Sequence, residues 1–254
     1  MLLKRVVAFL LVMEFMLWGY LLYELVVMFF RLRGLLRTGM TLKAAVIESV
    51  AVTYESSRVL HFVVGELRIW KFAFFGWGRA RAVNAQFTLH KSSTYFGFFI
   101  VMLHEQIIEG IALHFWLHSF NPILAWVSTG LHFYSIVWII GDYNAIRSTG
   151  ISVSEDRLVI NVGLRKRVSI PMRSIQGVQA FDPRTMGTSQ DRFIAAVLPL
   201  PRFMEAFHEF PQIAIKVKEP VAAESFLGRK QFVTNILIRV DHSSEFLTAL
   251  QAAL

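Results

Sequence analysis

The chain has 254 residues, 55% of them hydrophobic, and a formal net charge of +8. It contains no cysteine, which excludes disulfides, zinc ribbons, iron–sulfur clusters and thiol catalysis and leaves only His, Asp, Glu and oxygen ligands for a metal. The basic residues Arg31, Arg33, Arg37, Arg79, Arg81 and Lys91 flank apolar stretches, which suits an anionic leaflet; with no nucleic-acid motif present, the expected partner is the lipid bilayer and not nucleic acid.

The apolar residues are unevenly spread. Residues 1–147 are dense in Leu, Val, Phe and Trp, whereas the chain after Arg147 has the pattern of a water-soluble domain. This predicts a transmembrane helical domain over 1–147 and a cytoplasmic domain over 148–254.

The first apolar stretch covers residues 6–30. It follows Lys4 and Arg5, but it is too long for a signal-peptide core and has no small-residue cleavage site before Arg31. A retained helix is expected, long enough to cross a bilayer. Residues 41–75 also read as helical. Glu48, Glu55, Arg58, His61, Glu66, Arg68 and Lys71 make their passage through lipid expensive. They are expected on the cytoplasmic face, with Trp70, Phe72, Phe74, Phe75 and Trp77 at the interface. The alternative is a fourth span, which would turn the amino terminus inward.

Two further spans follow, at 95–118 and 122–143, separated by a very short joint. Asn121 can cap the second helix and Pro122 suits its first position. The joint carries no Lys or Arg, while Arg79, Arg81, Lys91 and Arg147 lie at the opposite ends. The charge bias puts the joint outside and both flanks, with the carboxy-terminal domain, in the cytoplasm.

After Gly150 short alternating segments predict strands at 151–154, 157–161, 166–170, 172–181, 193–198, 212–217 and 231–240. A closing helix at 243–254 carries an apolar stripe of Phe246, Leu247, Leu250 and Leu254. Asp241 or Ser243 can cap it. The expected fold is a small curved sheet plugged by that helix.

The run 158–164, followed by 168–171 and Ile175, resembles the membrane-associated bacterial PH-like domains, and 238–241 with Phe246 and Leu250 is similar to that fold's last strand and helix. Trp126, Gly141, Asp142, Tyr143 and Ala145 suggest a wider resemblance to multi-span membrane proteins of Gram-positive bacteria. The resemblance implies a fold class of about three transmembrane helices plus an interfacial helix, followed by a β-rich PH-like domain with a C-terminal helix. It implies a multi-pass protein of the bacterial cell membrane and an interaction or scaffold domain, with no activity to transfer.

Ionisable residues within the spans are the candidate site. Glu14, Glu109 and His132 lie at similar estimated depths, and Glu105 lies one turn from Glu109 on the same helix face. His104, His114 and Asp142 are additional candidates. Glu105, Glu109 and His132 offer oxygen and imidazole ligands that could hold Zn, Fe or Mn, or relay protons. The bland reading is hydrogen bonding between helices. His104-Glu105 lacks the second histidine of the zinc-protease motif, since Ile108 stands in its place. Asp142 is expected to pair with Arg147 or Lys91, and the turn of Arg165, Lys166 and Arg167 to be solvated or to touch anionic lipid. The expected function is a membrane scaffold or envelope-associated interaction protein, with a membrane or cytoplasmic protein partner or a second copy of itself. The alternative is a membrane-bound metal-dependent enzyme acting on a lipid, or a proton or cation relay.

Overall fold

The computed structural model describes residues 2–77, 86–181, 192–195, 208–226 and 228–254. The chain divides into two compact units, Met1–Gly65 and Glu66–Leu254.

In the first unit α1 (Leu2–Arg37) runs unbroken to a turn at Gly39, whose φ of 87° a side chain would strain. Thr41 then caps α2 (Leu42–Ser56) by accepting from Ala44 N at 3.4 Å. Ala45, Ser49, Thr53 and Ser57 recur every fourth residue and are all buried. Small side chains at that spacing let α1 lie close; Arg31 donates to Thr53 Oγ1 at 3.0 Å, and Tyr20 Oη lies 3.3 Å from Ser57 Oγ. The single helix expected over 41–75 is two helices. Ser57 adopts an extended conformation, ends α2 and starts α3 (Arg58–Phe75), with its Oγ accepting from Leu60 N at 3.3 Å.

The second unit contains α4 (Tyr95–His118) and α5 (Pro122–Arg147), joined as a hairpin. Asn121 Oδ1 accepts from Ile123 N and Leu124 N at 2.9 and 3.4 Å, and Pro122 occupies the first turn, as the sequence predicts. Among the described residues these are the two helices long and apolar enough to cross a membrane. Their outer surface is mostly apolar, with Val101, Phe115 and Trp126 64%, 72% and 67% exposed. The last part of α3 lies against α5 at Gly141, where a Cβ would come within 2.4 Å of Ile69 O. Asn144 Nδ2 donates to Phe72 O beside it.

A curled mixed sheet forms the rest. Its strands are β1 (Ile151–Val153), β2 (Arg157–Val162), β3 (Lys166–Pro171), β4 (Ile175–Ala180), β5 (Arg192–Ala195), β6 (Ile213–Ser225) and β7 (Lys230–Ile238). The order is β1-β2-β3-β6-β7-β5, with β4 also on β6 and β5 parallel to β7. Alternation of buried Leu158, Ile160 and Val162 with half-exposed neighbours sets the core face of β2. β6 extends well past the expected 212–217. A register shift between Lys216 and Val221, around Pro220, lets its first half pair with β4 and its second with β3. The expected 193–198 strand is described only as β5, residues 196–198 lying outside the described residues. The sheet curls around α6 (Ser243–Ala252), which buries Phe246 and Leu250. His242 precedes α6 without a side-chain cap.

Within the second unit the hairpin's ends enter the sheet's core. Tyr95 and Ile146 are buried together with Ile151, Leu158, Ile160 and Phe246. The strap before α4 is also sewn to the sheet. Phe87 pairs with Ile151 and packs edge-on against Phe246 at 5.3 Å. Instead of capping α6, Asp241 accepts from Thr88 Oγ1, Lys91 N, Ser92 N and Ser92 Oγ at 2.5 to 3.0 Å. Buried Glu209 accepts from Ser93 Oγ at 2.7 Å and from Thr94 N at the start of α4.

Burial alone would raise the Asp241 carboxyl, but the hydrogen bonds from Thr88, Ser92 and Lys91 outweigh it and hold it below the usual carboxylate range. A carboxylate depressed on folding stabilises above its unfolded value of about 4, and the gain is lost as pH falls through the folded value. Asp241→Asn is expected to cost about 1–2 kcal/mol at neutral pH. It should also reduce the acid sensitivity of the strap, read as amide hydrogen exchange at residues 88–92 at pH 7 and pH 3.

Candidate functional site

The sequence-predicted polar residues separate into three groups. Glu14 lies on α1, but its side chain is outside the described residues. Glu105 and Glu109, with His104, are exposed on α4, and neither carboxylate has a hydrogen bond or ion pair among the described residues. His114 and His132 turn toward the seam between α4 and α5. Among the described residues no three His, Asp or Glu side chains are placed to hold a metal ion. The set Glu105, Glu109 and His132 is therefore not assembled as a metal centre: the glutamates lie on an exposed face and the histidine in the seam. Arg79 and Arg81, used for orientation, lie outside the described residues.

Asp142 is buried, and its partners are neither Arg147 nor Lys91. Arg165, from the β2–β3 turn, reaches it in a bidentate grip: Nε donates to Oδ1 at 2.8 Å and Nη2 donates to Oδ2. Tyr95 Oη, from the first turn of α4, donates to the same Oδ2 at 2.6 Å and accepts from Arg165 Nη2 at 3.0 Å. Arg147 instead lies 5.5 Å from the Tyr143 ring centre. Arg165 is thus paired and mostly buried, and not available to lipid as a free charge. Burial disfavours its charged form, but Asp142 and Tyr95 outweigh burial and hold the guanidinium above its ordinary range.

Local backbone geometry makes this reach feasible. Gly163 has φ 58°, and a Cβ there would sit 2.7 Å from Ile146 Cγ1. Its N–H donates to Thr149 Oγ1 at 2.8 Å. Any other residue would push the turn off the end of α5. A cavity of 330 Å³ adjoins the pair, lined by Ile69, Trp138, Leu164, Ser225 and Phe226 as well as Asp142 and Arg165.

A second cavity, of 420 Å³, opens between α4 and α5. His114, Thr129, His132 and Gln106 supply its polar atoms; Phe115, Trp126 and Phe133 are among its apolar walls. Gly110 makes room for His132, whose Cγ lies 3.1 Å from where a Gly110 Cβ would be. The sequence points to His114 and His132 but not to Arg165, Tyr95, Thr129 or Gly110. The signals available were a glycine and a hydroxyl residue inside apolar spans, features that favour close helix approach and hydrogen bonding between helices.

Comparison of the chain with protein-family models, curated proteins and solved structures gives no match.

The Asp142–Arg165–Tyr95 arrangement joins three separate elements, so breaking it on one side leaves a buried charge behind. Arg165→Met alone is expected to destabilise the second unit by about 3 kcal/mol, and the double variant Arg165→Met with Asp142→Leu by markedly less. Thermal unfolding in detergent, followed through the tryptophans, measures the difference.

Proposed function

We propose that this chain is an integral protein of the bacterial cell membrane that acts by interaction rather than by catalysis. Its hairpin of α4 and α5 crosses the bilayer, and its sheet works as a PH-like binding module at the cytoplasmic surface. The observation that carries this reading is the bidentate Arg165–Asp142 contact with Tyr95. It fastens the sheet to the same ends of both apolar helices, so the module has a fixed position relative to them. A tethered enzyme domain needs no such rigidity, whereas a docking platform gains affinity from being pre-organised.

The exposed carboxylates of α4 support the same reading. Glu105 and Glu109 stand one turn apart on a helix face that also carries Val101, Ile108 and Ala112. Carboxylates facing hydrocarbon are costly and are retained where a donor-bearing neighbour meets them. Such a neighbour is what a scaffold protein requires. The uncharged joint between the spans and the basic Lys91 and Arg147 at their other ends agree with a cytoplasmic module.

Because the chain has no cysteine, single cysteines report sidedness without background. Ser119→Cys, in the joint, is expected to react with an impermeant maleimide in intact cells. Ser154→Cys, after β1, should react only after permeabilisation. Labelling of both from the same side of the membrane would refute the spanning hairpin.

A further inference from the structure

The hydrogen bonds around the hairpin cavity determine which atoms His114 and His132 offer to it. Thr129 Oγ1 donates its one hydrogen to Ala125 O at 2.9 Å. With that hydrogen on Ala125 O, the 2.7 Å contact between Thr129 Oγ1 and His114 Nδ1 runs from Nδ1–H to the hydroxyl oxygen. His132 Nδ1 lies 2.9 Å from Ser128 O, and a carbonyl can only accept. A neutral imidazole carries one hydrogen, and on both rings it is committed at Nδ1. Each Nε2 is left as a bare acceptor, with no partner among the described residues.

The two acceptors lie on successive levels of the hairpin. Gly110 faces His132, and His114, one turn further along α4, faces Thr129. The levels are thus about 5.4 Å apart along the helix. Both rings line the same cavity, and no carboxylate does. A cationic donor would find no counter-charge there, and an acceptor-only ligand would leave both nitrogens unsatisfied. What the two imidazoles complement is a neutral apolar molecule that donates hydroxyl hydrogens at two positions. Phe115, Trp126 and Phe133 offer aromatic faces to a flat ring. Phe115 and Trp126 are largely exposed on the outer surface of the hairpin, so the cavity opens sideways, toward lipid in the membrane reading.

We propose that this cavity binds a lipid-soluble hydroquinone, its hydroxyls donating to His114 Nε2 and His132 Nε2 and its ring held among Phe115, Trp126 and Phe133. The site lies apart from the Asp142–Arg165 junction and does not depend on the sheet's binding a partner.

The experiment uses the full chain in lipid nanodiscs, titrated with a decyl-substituted hydroquinone, the matching quinone and decanol. The absence of cysteine means that the reductant needed to hold the hydroquinone does not alter the protein. Hydroquinone is expected to bind at least about tenfold more tightly than quinone, and His114→Phe or His132→Phe to weaken it by about tenfold each, one hydrogen bond's worth. On the unaltered chain, nitrogen-15 signals of two of the eight histidines should shift at Nε2 with hydroquinone and not with quinone. That readout stands even where a variant fails to fold. His118→Ala, outside the cavity lining, should leave binding unchanged. Equal binding of quinone and hydroquinone, no shift at either Nε2, or decanol binding as tightly as hydroquinone would each overturn the proposal, the last assigning the site to a simple alcohol.

Discussion

Asp142 is a carboxylate in an apolar helix, removed from water, and such a group persists only if its charge is met. The neutralising cation comes from Arg165, more than twenty residues later, in a turn of the sheet. The hydroxyl of Tyr95 brings in the start of α4, at the same end of the hairpin. One electrostatic requirement therefore ties α4, α5 and the β2–β3 turn together. Gly163 lets the turn come close enough, and Ile146 fills the space beneath it. The arrangement is charge-assisted and bidentate, which fixes orientation as well as distance.

The strap entering α4 is governed by the same principle. Asp241 and Glu209 accept from backbone and hydroxyl donors over residues 88–94. The start of α4, whose own Thr94 side chain makes no cap, is held by Glu209 through the Thr94 N–H. Unpaired amides at a helix start favour a negative partner, and here it is delivered from the sheet. His90, half-buried beside this strap, has its imidazole pushed below its ordinary range mainly by burial, against the opposing pull of Asp241. A base depressed in this way is held neutral at neutral pH, which avoids a second positive charge beside Lys91. The hairpin and the sheet are consequently one body, although hydropathy assigns them to different solvents.

In the proposed membrane setting this body has two chemically distinct regions. At the bilayer surface a buried ion pair sets the geometry of the module. Deeper in, the seam of α4 and α5 presents imidazole nitrogens whose hydrogens are already committed. Glu105 and Glu109, by contrast, point away from that seam. Depth estimated by counting residues brings Glu109 level with His132, but rotation about the helix axis separates them. A one-dimensional count carries no information about that rotation once the packing face is unknown.

The amino-acid pattern alone was enough to read the two apolar helices, the Asn121–Pro122 joint, most of the strands and, in the apolar stripe of the last helix, Phe246, Leu247 and Leu250, whereas Leu254 lies past the helix end and is exposed. These features depend on local periodicity and capping chemistry, which act over a few residues. The break at Ser57, the long bent β6 and the placement of the hairpin ends in the sheet's core were not legible. Each is decided by contacts between distant segments. The partner of Asp142 is the clearest case: Arg147 is nearer in sequence, but Arg165 is the one whose backbone, released by a left-handed glycine, can bring a planar guanidinium to a buried carboxylate. Residue types announced that ionisable groups sat in apolar surroundings. Only the tertiary structure decided which faced each other, because helix rotation and strand register are properties of packing rather than of local sequence.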